Sequence, residues 1–130
     1  DRDVIARFWG TPAGIPYAFN SLHKAGTKLL MGSDAPVAPL DPWLAISAAV
    51  FGTESSDREP FQPEQCLDFE TALASSTAVG RVALRDADAA DLVLLDCDPS
   101  IIDSPEAMRA MPEHVLGTML AGRWTYQQAE

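Results

Sequence analysis

The stretch LLMGSDAPVAPLDPW, residues 29–43, constrains the fold more than any other part of this chain. An apolar run closes on Gly32, Ser33 and Asp34, and Pro36, Pro39 and Pro42 then limit the freedom of the loop behind it. Just upstream, PYAFNSLHKAG spaces Tyr17, Phe19, Leu22 and Ala25 as a helix face does, and Gly26 can turn left-handed after the last turn. TKLLM, residues 27–31, reads as a short buried strand. A helix feeding a strand is the αβ half of a parallel α/β unit. In such folds the carboxyl ends of the strands collect ligands and catalytic groups, and Asp34 falls at that edge.

Spacing alone leaves Asp34 two roles, a loop cap or ion-pair partner on one side and a site carboxylate on the other. For the second role, Gly32 lets the backbone approach a ligand and Ser33 can hold the second carboxylate oxygen. The prolines keep the geometry fixed.

Further along, Asp41 is placed to cap a helix that starts at Pro42 and runs through PWLAISAAVF to Gly52. GTESSDREPFQPEQ reads as a surface loop, and Asp68 caps a second helix expected to reach at least Val79, with Gly80 as its stop. ADLVLLD is a compact strand closed by Pro99, and Ser104-Pro105 opens a short helix that Pro112 ends. HVLGTMLAGRWTYQQ reads as two strands joined at Ala121-Gly122. Helix and strand alternate first and strands dominate the tail, so a boundary is expected near Arg85, dividing residues 1–84 from residues 85–130.

Composition removes several function classes. At 130 residues the chain can bury a real core, and its formal net charge of -10 opposes binding to a nucleic-acid backbone or an anionic membrane surface. No apolar run approaches a membrane span. Cys66 and Cys97 make no disulfide framework or cysteine metal motif, which fits a cytoplasmic protein. Cys66 lies between Glu64 and Asp68, where acids raise a thiol pKa, and Ser33 lacks the frame of a nucleophile elbow.

Four motifs in order carry a resemblance. AGTKLLMGSDAPVAPLDPWLAISAAV is similar to the final barrel segment of the metal-dependent amidohydrolases, in the branch called amidohydrolase family 3. FQPEQCLDFETALASSTAVG, AADLVLLDCDP and VLGTMLAGRWTY resemble that branch's next helix, tail strand and closing hairpin. The resemblance runs from about Tyr17 to Tyr126. It implies an α/β fold: the last strand and flanking helices of a (β/α)8 barrel, then strands of a small composite β-sandwich. It also implies a hydrolase of C–N bonds in small-molecule substrates. Asp34 would be both its catalytic carboxylate and a neighbour of the metal, a divalent ion that is usually zinc. There the metal lowers the pKa of its water, and the carboxylate relays the proton to a leaving amine. Ser33, Ala35 and Pro36 would line the substrate pocket, and Ala35 stands where that branch often has Trp. RDADAAD replaces the branch's usual basic turn with an acidic one.

The same resemblance exposes missing parts. The family's His-x-His pair, its bridging residue and its two later histidines have no match; His23 and His114 stand at no family motif. The chain also opens at Asp1 without Met. A carboxyl-terminal fragment is the expectation: inactive alone, binding no metal tightly, and either self-associating or completed by an amino-terminal barrel segment.

Two rivals stand beside it. DLVLLDCDP resembles the third strand of bacterial receiver domains, with Asp96 as phosphate acceptor, yet no upstream strand ends in two acids and no lysine follows Lys28. The other is a non-catalytic module binding a protein or small ligand around Trp43 and Trp9, although such tryptophans more often anchor cores. Trp124 is expected to pack across the sandwich.

Overall fold

The computed structural model describes residues 2–8, 14–78, 80, 85 and 88–129. Among the described residues, five short helices precede or flank one antiparallel sheet: α1 (Arg2–Phe8), α2 (Phe19–Lys24), α3 (Pro42–Phe51), α4 (Phe69–Ser75) and α5 (Pro105–Arg109). The strands are β1 (Leu92–Leu95), β2 (Val115–Leu120) and β3 (Arg123–Gln127), in the order β1-β2-β3. This mixture of helix and sheet agrees with an α/β chain.

Side chain-to-backbone hydrogen bonds set the starts of α3, α4 and α5. The Asp41 carboxylate accepts from the Trp43 N–H at 2.9 Å, and Gly52 ends α3 in the left-handed region at φ 64°. Asp68 accepts from the N–H and the hydroxyl of Thr71, each at 2.8 Å, to start α4. Ser104 caps α5 through the Ala107 N–H. The loop between α3 and α4 contains a 3₁₀ turn, Pro63–Gln65, whose buried Gln65 accepts from the Ser21 N–H and so ties α2 to it.

The core lies where α3, α4 and α5 meet. Trp43, Ile46 and Ala49 of α3 pack with Leu67, Ala72, Met108 and Met111, all buried. Ser47, also buried, donates to the Pro105 carbonyl. Helices from both sides of residue 85 thus share one apolar interior. Trp43 is one of its members, so a ligand surface around that ring is ruled out; Trp9 lies outside the described residues.

Three local expectations change. Residues 27–31 join no strand ladder among the described residues; Leu30 is 70% exposed, and the Met31 N–H instead donates to the Ser75 carbonyl. A parallel strand is held by its neighbours, and this segment has none beside it. Helix α4 ends at Ser75, ahead of the expected Val79, which lies outside the described residues. Its end coincides with Ser75, Ser76 and Thr77, whose hydroxyls all bond back to carbonyls three or four residues earlier, which weakens a helix. Among the described residues Trp124 faces no second sheet: half exposed, it lies over Gly117 of the adjacent strand.

The two tail strands form and meet at Ala121-Gly122, as expected. Ala121 and Gly122 both have positive φ, 49° and 75°, as a two-residue type I′ turn requires. The turn is fixed to the chain ahead of β1, because the Ala121 N–H donates to Asp91 and the Gly122 N–H to the Ala90 carbonyl. The antiparallel pairing of β1 removes the receiver-domain reading of Asp96, which needs a parallel sheet.

Candidate active site

Asp34 sits in a left-handed backbone conformation, φ 56°, at the head of a turn closed by the Val37 N–H donating to its carbonyl at 2.9 Å. Aspartate tolerates this region better than most residues, and non-glycine residues held there cluster at functional sites. The carboxylate is exposed, as are Ala35 and Pro36, whose shared peptide bond is cis; Ser33 is half-buried. The sequence places the Ser33 hydroxyl on the carboxylate. In the structure it accepts from the Ala35 N–H at 3.3 Å, so Ser33 shapes the turn that presents Asp34.

What anchors the loop is visible at both ends. Upstream, Met31 is hydrogen-bonded to Ser75 at the end of α4; downstream, Asp41 caps α3 and donates its N–H to the Pro39 carbonyl. Leu30, just ahead of the first anchor, and Val37 and Leu40, between the two, are apolar and 70%, 85% and 85% exposed, an apolar rim of the loop that carries Asp34.

A cleft of about 650 Å³ lies elsewhere, lined by residues 23 and 26–29, by Asp68 and by α4. His23, Lys28 and Arg85 face Asp68 and Glu70 across it, and none of residues 33–36 lines it. Asp68 is committed to capping, and the Thr71 N–H holds its carboxyl below the usual range. The geometry therefore separates the sequence-predicted acid from this cleft.

Neither cysteine is an activated nucleophile. Burial, then the charge of Glu64, pushes the Cys66 thiol up; partial burial and then Asp96 do the same for Cys97. The family's metal is tested by its donors. Among the described residues, the one set of three His, Cys, Asp or Glu donors close enough to share an ion is Asp96, Cys97 and His114, and Asp34 is not in it. A catalytic zinc takes three protein ligands. The described residues around Asp34 do not supply such a set, and no step through a metal follows from them.

The Asp96–Cys97–His114 grouping is the feature that reading the sequence misses. It rests on how β1 pairs with β2, which the two strand segments by themselves do not state.

A family model described as Amidohydrolase family, the family 3 branch, matches residues 4–126. The chain belongs to the amidohydrolase family, whose members are metal-dependent hydrolases of small molecules and generally bind divalent metals. No curated protein and no solved structure matches it. No helix among the described residues is long and apolar enough to cross a membrane.

Proposed function

We propose that this chain contributes the terminal catalytic carboxylate, Asp34, to a hydrolase that cleaves C–N bonds, amides or their relatives, in small molecules. The observation that carries the reading is the exposed Asp34, presented at positive φ by a loop anchored at both ends, within a chain that matches the amidohydrolase family along residues 4–126. A carboxylate so placed accepts a proton from an attacking water and returns it to the departing amine. Ala35 and Pro36 beside it, with Ser33 setting the turn, are the substrate-facing positions. Ala35 leaves room where many relatives carry an indole.

The remaining ligands come from outside this chain. With zinc as the expected ion, Asp34 would approach it from the last barrel strand, residues 27–31, once neighbouring strands flank that segment. Leu30, Val37 and Leu40 form the apolar rim such a companion would cover, and residues 1–84 then belong to the barrel and 85–130 to the sandwich. Alone, the chain is inactive.

The test uses the hydrolase expressed from its native gene, assayed on N-acylated small molecules with zinc supplied. Asp34→Asn lowers kcat by about 10²–10⁴-fold, the range for a positioned general base, while circular dichroism stays unchanged. Turnover equal to the unsubstituted enzyme overturns the reading.

A further inference from the structure

We propose that Asp96, Cys97 and His114 form a binding site for one thiophilic transition-metal ion of the zinc class, separate from Asp34. Their ligand atoms all lie within 4.8 Å of one another, and His114 Nδ1 stands 2.8 Å from Asp96 Oδ1. Zinc holds nitrogen and oxygen at about 2.0–2.2 Å and sulfur at about 2.3 Å, so tetrahedral ligands stand roughly 3–4 Å apart. The three donors are within about an ångström of that arrangement.

The backbone brings them together by a register shift. Leu92, Val93 and Leu94 oppose Met119, Thr118 and Gly117, but Leu95 opposes Val115, so Leu116 is an extra residue in β2. One rung further this shifted register sets Asp96 against His114, and the Asp96 N–H donates to the His114 carbonyl at 3.1 Å. Without the bulge, Asp96 would face Val115. Bulges re-aim side chains in this way next to functional sites.

The third donor is held from behind. Cys97 Sγ lies 3.8 Å from Met111 Sδ, and Met111 is fully buried in the core. On the outer side, the Asp96 and His114 side chains are 46% and 43% exposed, which gives an ion its entry path. The donor set selects the ion: sulfur with imidazole suits zinc, cobalt or copper, whereas magnesium and calcium want oxygen throughout. On binding, the Cys97 thiol proton goes to solvent as the sulfur–metal bond forms, and the neutral His114 ring takes its Nε2–H tautomer, so that Nδ1 and the Asp96 carboxylate both face the ion. The fourth position is left to water. Because the donors link the end of β1, the start of β2 and the Met111 corner of the core, the ion clips the sheet to the helices.

Cobalt(II) is the probe, titrated into the reduced 130-residue chain and followed by absorbance. One equivalent produces a near-ultraviolet thiolate-to-cobalt band together with tetrahedral visible bands. Zinc displaces both, and zinc raises the thermal unfolding midpoint. Cys97→Ser abolishes the band. His114→Gln weakens binding by more than about tenfold, with the near-ultraviolet circular dichroism of each metal-free variant confirming its fold. Cys66→Ser and Asp34→Asn leave the band in place, so loss of catalysis at Asp34 and loss of this site are read separately. No thiolate band, a band that survives Cys97→Ser, or one that disappears with Cys66→Ser overturns the proposal.

Discussion

Gly117 leaves open the space over which the Trp124 indole lies: a Cβ on Gly117 would stand 2.7 Å from Trp124 Cζ3 and 3.2 Å from the Tyr126 carbonyl oxygen. The ring can tilt away, but the backbone oxygen of a paired strand cannot follow without opening the β2–β3 ladder. Gly117→Ala is expected to destabilise the chain by about 1–3 kcal/mol, the usual range for overpacking. Urea unfolding followed by Trp fluorescence measures it, and a midpoint within error of the parent would show that the ladder yields freely.

A second position in the same hairpin pulls the other way. Ala121 occupies the left-handed region at φ 49°, where a β-carbon costs about 1–2 kcal/mol and Asn costs less. Its N–H bond to Asp91 uses the backbone and survives substitution. Ala121→Asn therefore stabilises the chain by about 0.5–1 kcal/mol, seen as a higher thermal midpoint. An unchanged or lower midpoint would mean that the turn is set by the Ala90 and Asp91 bonds alone.

Helix α3 supplies three buried residues of the core, so its first turn controls more than its own ends. The Asp41 carboxylate satisfies the Trp43 N–H and also marks where the loop carrying Asp34 stops. Asp41→Ala is expected to cost about 1 kcal/mol, with Asp41→Asn recovering most of it. Equal losses in the two variants would assign the effect to charge and remove the cap as its cause.

These three positions also show what a sequence makes legible. Asp41, Gly52, Asp68, Ser104 and the Ala121-Gly122 turn act within a few residues of themselves, and each is found where local chemistry puts it. Residues 27–31 are different, because a strand is a relation to neighbours and an apolar pentapeptide does not carry its partners. The early end of α4 was written in Ser75, Ser76 and Thr77, which the expectation of a stop at Gly80 passed over. At the candidate site, Asp34 and its stiffened loop were legible from Gly-Ser-Asp and three prolines. The Asp96–Cys97–His114 grouping was not legible, since it depends on a single bulge at Leu116 that no local pattern announces.

Glu106 gives the clearest dependence on pH. Its carboxylate accepts from the Ser56 hydroxyl and the Ser56 N–H, both at 2.6 Å, across fifty residues of sequence. These bonds, the hydroxyl first and then the backbone, lower its pKa from 4.5 to about 2. A folded-state pKa below the unfolded value means that the unfolded chain binds the proton first. The contribution to stability is therefore complete above about pH 4.5 and is lost as pH falls through 2. Glu106→Gln keeps an acceptor but not the charge, so it should unfold at lower urea than the parent at neutral pH. The two urea midpoints should converge between pH 4.5 and 2, because the other carboxylates titrate alike in both chains. A gap of constant size across that window would show that the loop between α3 and α4 is held to α5 by packing, with no part played by the ionised Glu106 carboxylate.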